Sequence, residues 1–237
     1  MQTPDYIILT PTAPFKLYCF NRFMENVLSF QPKPKEVVFC TEPEMVPEIA
    51  KWKQKLKKQG IKLVIFTLEP EILNQFPKPD IKKLTYSREH LRKYFINSPF
   101  EWALWLDSDI IPEPNVFRVL LKVALSEKYL VVSNEYPARL DKECIIRGMG
   151  CTLTHKAACM FARFMNTPFI WNGQEAGWHL IDDFWFFVMV SGADWYIKKS
   201  TGWNSCGKRV RAVSIWHLTG SDKFPNKFLK KDSHYNK

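Results

Sequence analysis

Along the first 130 residues, short apolar runs alternate with stretches of helical spacing, and proline or glycine punctuates the changes. Residues 6–10 (YIILT) form an apolar, β-rich run closed by Pro11 and Pro14, the signature of a buried strand. Residues 15–30 carry apolar positions at helical intervals. A second strand is expected at Glu36–Thr41, stopped by Pro43, and a third at 61–67. Between them, residues 46–58 predict a charged helix ending at Gly60, a suitable C′ residue. The Pro-rich segment 69–79 reads as loop, and Ser87 is placed to cap a helix running to Phe95. Trp102–Leu106 is the fourth strand, Asn115 caps a helix to about Leu125, and 129–133 is the fifth strand. Further on, 155–166 and 182–190 predict helices, and 193–198 and 210–216 predict late strands. Strand–helix alternation of this kind specifies an α/β domain with a mostly parallel central sheet flanked by helices. No linker or repeat divides the 237 residues, so one domain is expected.

Composition adds function classes rather than changing the fold. The chain is 46% hydrophobic and 15% aromatic, which suits a full globular core. No run approaches the roughly 20 apolar residues of a membrane span, and the opening MQTPD predicts no signal peptide, so a cytoplasmic protein is expected. Six cysteines at 19, 40, 144, 151, 159 and 206 fit no zinc spacing and read as reduced thiols, with a disulfide among Cys144, Cys151 and Cys159 left open. The net charge of +10 admits three partners: nucleic acid, an anionic lipid surface or an anionic small substrate. The tail, 221–237, is basic with interleaved Phe224, Phe228 and Leu229; it reads as a frayed terminus or as a peripheral membrane contact.

The candidate chemistry stands just past strand four. Asp107-Ser108-Asp109 places two carboxylates at the carboxyl end of a buried strand, where α/β sheets bind ligands. Hard oxygen ligands so placed suit Mg²⁺ or Mn²⁺. The same three residues are also good turn chemistry, and the apolar strand before them favours a site.

The segment LWLDSDIIP resembles the metal-binding Asp-x-Asp segment of GT-A glycosyltransferases, family-2-like in particular, and the likeness follows in order along nearly the whole chain. It implies a single GT-A, Rossmann-like domain: residues 1–109 would bind a nucleotide and 110–220 would hold the acceptor site. Thr10-Pro11-Thr12 resembles the first nucleotide-contacting loop, and Cys40-Thr41-Glu42 the second, with Glu42 near base or ribose. Tyr86-Ser87-Arg88-Glu89 is similar to the Ala-Arg-Asn segment whose Arg reaches the diphosphate, with Glu89 in place of the usual Asn. The segment around Gly148 and Gly150 resembles the turn beside the donor sugar; an ordinary turn is the alternative. Asp182-Asp183 resembles the acidic acceptor-side motif at a helix start, with Asp183 the first choice for a general base and Asp182 the second or simply the N-cap. His217 resembles the late histidine that joins Asp107 and Asp109 on the metal; a packing residue beside Trp216 is the alternative. Lys208, Arg209 and Arg211 would meet the diphosphate or serve solubility alone, and the loop 171–178 is the candidate acceptor contact.

The resemblance therefore implies a metal-dependent hexosyltransferase moving sugar from a UDP- or GDP-sugar to a carbohydrate, lipid-linked or protein hydroxyl, with inversion. Two other readings compete. A haloacid-dehalogenase-like Mg²⁺ phosphatase also uses Asp-x-Asp after an apolar strand, but its nucleophile strand comes early, whereas three strands precede Asp107. A basic nucleic-acid-binding protein would explain the +10 charge and the aromatics, but it leaves the ordered acidic motifs without a role.

Overall fold

The chain opens on the apolar run, which forms β1 (Tyr6–Pro11). In the computed structural model the described residues are 3–76, 81–137, 145–146, 148–165, 169–171, 174–176, 181–218 and 226–228. After a 3-10 turn at Pro14–Lys16 come α1 (Leu17–Ser29) and β2 (Glu36–Thr41). The charged helix expected over 46–58 is broken into α2 (Val46–Ala50) and α3 (Lys53–Lys58), with Gly60 at φ 73 ending it as anticipated. Next is β3 (Lys62–Thr67). The segment expected as loop instead starts a helix, α4 (Pro70–Gln75), because Pro at the first helical position forfeits no hydrogen bond.

The following helix, α5 (Ile81–Asn97), starts well before Ser87, which is buried inside it and caps nothing. Then come β4 (Trp102–Leu106), an unanticipated short β5 (Ile110–Pro112) and α6 (Val116–Glu127). Asn115 does stand at the N-cap of α6, but its side chain makes no capping bond. The chain continues through β6 (Val131–Asn134), β7 (Tyr136–Pro137), β8 (Ile145–Ile146) and β9 (Cys151–His155). The helix expected over 155–166 is only α7 (Lys156–Phe161), capped by His155, whose ring Nδ1 accepts from the Ala157 N–H at 3.1 Å. The small hairpin β10 (Phe169–Trp171) and β11 (Gln174–Ala176) precedes α8 (Ile181–Gly192).

The expected strand at 193–198 is a helix, α9 (Asp194–Thr201). Its ends explain the choice: Asp194 lies in the first turn, Lys198 and Lys199 in the last, and Gly202 closes it at φ 74. The late strand over 210–216 is two short ones, β12 (Lys208–Val210) and β13 (Ile215–His217), followed by β14 (Asn226–Phe228). The break between them is where the chain leaves one sheet for another.

The main sheet has the order β12-β6-β9-β4-β1-β2-β3. β4, β1, β2 and β3 pair in parallel, and β9 runs against both β4 and β6, so the sheet is mixed and mostly parallel as expected. Alternation along each strand feeds two cores. Tyr6, Ile8, Phe39 and Leu104 pack with Phe20, Phe23 and Phe117 on the α1–α6 face. Ile7, Leu9, Val38 and Trp105 pack with Leu91, Phe95 and Phe186 on the α5–α8 face. Burial on both faces is why β1 and β4 read as unbroken apolar runs.

A second, three-stranded antiparallel sheet, β14-β13-β5, stands beside the first. Asp107, Ser108 and Asp109 are the whole connection between β4 of the large sheet and β5 of the small one. Ile110 pairs with His217 across that small sheet, and the Leu218 N–H donates to the Asp109 carbonyl at 2.8 Å. Among the described residues no helix is long and apolar enough to cross a membrane. Cys19, Cys40, Cys151, Cys159 and Cys206 are free thiols; Cys144 lies outside the described residues. Burial pushes the Cys40 and Cys159 thiols up to about 12, which keeps both inert near neutral pH.

Candidate functional site

Because β1, β2 and β4 are parallel neighbours, their carboxyl ends open on the same edge of the sheet, and the three segments singled out in the sequence meet there. Pro11, Thr12, Lys16, Glu42, Lys83, Ser87, Asp107 and Ser108 line a cavity of about 250 Å³. The loops are cross-tied. The Thr12 and Ser108 hydroxyls lie 3.0 Å apart, and the Thr12 N–H donates to the Cys40 carbonyl at 3.2 Å. Glu42 accepts from the ammonium of Lys83 at 2.6 Å, with both side chains mostly buried. The Thr10 and Thr41 hydroxyls, both buried, find no hydrogen-bond partner among the described residues.

Arg88 is the centre of the site. Its side chain is 3% exposed. One guanidinium nitrogen donates to both Asp107 oxygens, at 3.0 and 3.1 Å, and the other donates to Asp183 Oδ1. The second Asp183 oxygen accepts from the Met149 N–H at 3.0 Å. A guanidinium supplies donors in a fixed fork, so one side chain ties helix α5 to strand β4 and to the first turn of α8. Asp183 was anticipated on the acceptor side; here it shares its cation with the Asp-x-Asp segment. Asp182 lies in the first turn of the same helix, but its side chain lies outside the described residues, as do 172–173 and 177–178 of the expected acceptor loop and all of the basic tail except 226–228.

Asp109 turns the other way and is almost fully buried. Its Oδ2 accepts from the Lys16 ammonium and lies 3.2 Å from His217 Nε2. This oxygen–nitrogen contact has the length of a hydrogen bond, between two groups whose chemistry also suits a divalent ion such as Mn²⁺. The Lys16 ammonium already gives the same carboxylate a cation. The expected three-ligand set is only partly assembled, however. Among the described residues no three His, Cys, Asp or Glu side chains converge as a metal group, and both Asp107 oxygens accept from Arg88.

Three contributors were not singled out in the sequence. Lys16 sits in the 3-10 turn after the Thr-Pro-Thr loop, Lys83 is four residues beyond the expected loop, and Tyr136 lies in a two-residue strand. Tyr136 is buried against His217, with ring centroids 5.7 Å apart. Burial first, and then the charges of Asp107 and Asp183, hold its phenol well above its usual value and therefore neutral. The expected diphosphate contacts Lys208, Arg209 and Arg211 are engaged elsewhere, Lys208 by Glu127 at 2.7 Å and both arginines by Glu135.

Gly150 has a specific reason to be glycine. Its carbonyl accepts from the Asp107 N–H at 3.1 Å, and a Cβ there would fall 2.6 Å from the Tyr136 hydroxyl and 3.1 Å from Asp107 Oδ2. Gly150→Ala is therefore expected to cost about 1–3 kcal/mol, read as a lower urea midpoint. Adding Tyr136→Phe removes the closest clash and should recover part of the loss. An unchanged midpoint for Gly150→Ala would refute this tight approach.

No known family profile matches the sequence, and no curated protein does. Solved structures do. The chain is similar to S. aureus TarS 1–349 in complex with UDP, with a TM-score of 0.53 and 11% identity over 77% of this chain and 54% of that one. The same protein in complex with UDP-GlcNAc gives 0.53 and 12% over 78% and 53%, and a further S. aureus TarS structure gives 0.51 and 12% over 77% and 33%. The chain thus spans about half the length of TarS 1–349. At such identities the likeness shows the fold. The fold is GT-A-like: a single α/β domain with a mixed, mostly parallel sheet between helices.

Proposed function

We propose that the chain is a glycosyltransferase that moves a sugar from a nucleoside diphosphate sugar to a hydroxyl acceptor. The observation that carries this reading is the cluster at the strand ends: Asp107, Asp109 and Asp183 held by Arg88, Lys16 and His217 beside the 250 Å³ cavity. Thr10, Pro11, Glu42 and Ser108 would frame the nucleoside, with Gly150 leaving room near the sugar. UDP, in the TarS complex, is a ligand of the chemistry this cavity suits. A divalent ion, Mn²⁺ or Mg²⁺, would be held by Asp109 and His217, and Asp107 would join them only on giving up its Arg88 contact. When bound, it would neutralise charge on the departing diphosphate.

The residues of the chain do the rest. Arg88 fixes the directions of Asp107 and Asp183. Lys16 puts an ammonium at the cavity wall, where it can meet a phosphate oxygen through a charge-assisted bond. Asp183 accepts the proton of the acceptor hydroxyl as that oxygen bonds to the anomeric carbon. The bond from that carbon to the phosphate oxygen breaks, and the diphosphate leaves with the electron pair. A single displacement of this kind inverts the anomeric centre. Neither the phosphatase nor the nucleic-acid reading has an observation of its own that favours it.

A thermal-shift panel of UDP, GDP and dTDP, with and without Mn²⁺, tests the reading. A diphosphate at 100 times its Kd should stabilise the fold by about 2.7 kcal/mol, several degrees for a chain of this size. Asp109→Ala should abolish the Mn²⁺-dependent part. No shift from any diphosphate sinks the transferase reading. A shift indifferent to Mn²⁺ and to Asp109→Ala sinks the metal assignment alone.

A further inference from the structure

We propose that the face formed by α7, α8 and α9 docks on an anionic lipid bilayer surface. Large apolar side chains are exposed there together: Met160 at 67%, Phe161 at 42%, Val188 at 42%, Trp195 at 71% and Tyr196 at 60%. The Phe161 and Tyr196 rings touch, with centroids 5.9 Å apart, and α8 packs against both α7 and α9. Clustered exposure of this kind marks an interaction surface, whereas scattered apolar residues do not.

The chemistry of the rim selects the partner. Residues 156–165 and 188–203 hold Lys156, Arg163, Lys198 and Lys199 and a single acid, Asp194. That carboxylate is committed to the protein, accepting from the Ser205 N–H at 2.6 Å, the Ser205 hydroxyl at 3.0 Å and the Cys206 N–H at 3.2 Å. The exposed charges in these segments, on Arg163, Lys198 and Lys199, are thus all cationic, as an anionic headgroup layer requires, with exposed neutral Ser191, Ser200 and Thr201 among them. Helix α9 shows the division most clearly. Ile197 is buried, while Trp195, Tyr196, Lys198 and Lys199 face out, and the Lys199 ammonium lies 5.0 Å from the Trp195 ring centroid. Trp and Tyr with neighbouring lysines are the side chains that settle at headgroup depth.

The surface is remote from the candidate site. α8 starts at Asp183's turn and runs 12 residues, about 18 Å, away from it. Beyond α9, the Asn204 carbonyl accepts from the Leu130 N–H at 2.9 Å, at the amino end of β6. Docking therefore leaves the cavity open, and the inference does not depend on the proposed activity.

Sedimentation of the full chain with extruded vesicles tests it, comparing phosphatidylcholine alone with phosphatidylcholine containing phosphatidylglycerol. The wild type should partition onto the anionic vesicles, and less so as salt rises. Lys198→Gln and Lys199→Gln should each lower the partition coefficient about fivefold, and Trp195→Ser about tenfold. Should Trp195→Ser melt lower than wild type, the two lysine variants decide. Wild-type protein that stays in the supernatant with both vesicles overturns the proposal. So do variants that sediment like wild type, which would move the contact to another surface such as the basic tail. A vesicle-free dimer in sedimentation velocity that Trp195→Ser dissociates would assign the face to a second copy and equally overturn it.

Discussion

Arg88→Ala is expected to cost about 3–5 kcal/mol of stability, against the roughly 5–15 kcal/mol that hold a typical domain together. The cost lies in what is left behind. Arg88 is 3% exposed and donates to both Asp107 and Asp183. Without it, two largely buried carboxylates lose the cation they share, and Asp183 keeps only the neutral Met149 N–H among the donors described above. One must take up a proton or the first turn of α8 must leave β4. Arg88→Lys retains the charge but not the fork, since one ammonium is a point donor where two separated acids need two nitrogens. It should fall between wild type and alanine. Urea unfolding of the three proteins measures this directly. Equal midpoints for wild type and Arg88→Ala would show that the acids are not held by this contact. Diphosphate binding should be lost in Arg88→Ala even under conditions where it remains folded, because Asp107 is no longer aimed.

The second large effect is expected at Asp183. Asp183→Asn should lower kcat by about 10²–10⁴-fold, the usual contribution of a positioned base, while KM for the donor sugar changes little. Asparagine keeps an oxygen for the Met149 N–H, now 3.0 Å from the carboxylate, but cannot take a proton. Because the change also weakens the Arg88 contact, Asp182→Asn is the necessary companion. Should Asp182→Asn show the greater loss of kcat, Asp182 is the base and Asp183 serves to hold Arg88. A proportional rise in KM with kcat preserved in both would remove the general base from helix α8 altogether.

Much of this arrangement was legible in the sequence, for a physical reason. Strands buried on both faces must be apolar throughout, so β1, β2 and β4 announce themselves, and the acid pair after β4 inherits a fixed position at the sheet edge. The resemblance then ordered Glu42, Arg88, Asp183 and His217 around it. What escaped was decided by contacts distant in sequence. Residues 193–198 alternate like a strand, yet Asp194, Lys198 and Gly202 supply the ends of a helix, and only the burial of Ile197 shows which period governs. β5 is three residues long and exists through its pairing with β13. Lys16 is one lysine among many in a basic chain, and nothing local separates it from the solvated ones; its partner Asp109 lies 93 residues away. Tyr136 gives no periodic signal because its strand has two residues. The metal triad was expected complete because spacing cannot show that Arg88 claims Asp107.

The joint between the two sheets also sets a timetable. Residues 107–109 leave the large sheet as soon as β4 has paired with β1, but two of the groups that hold Asp109, the His217 ring and the Leu218 N–H, lie more than a hundred positions further along, His217 being 108 residues away. A chain emerging from the ribosome can therefore form the parallel strands β1–β4 with their helices, and pair Asp109 with Lys16, while the His217 and Leu218 contacts are still missing. The cavity wall precedes the acid site, and competence for the proposed chemistry would arrive as a late step of synthesis, when β13 closes on β5.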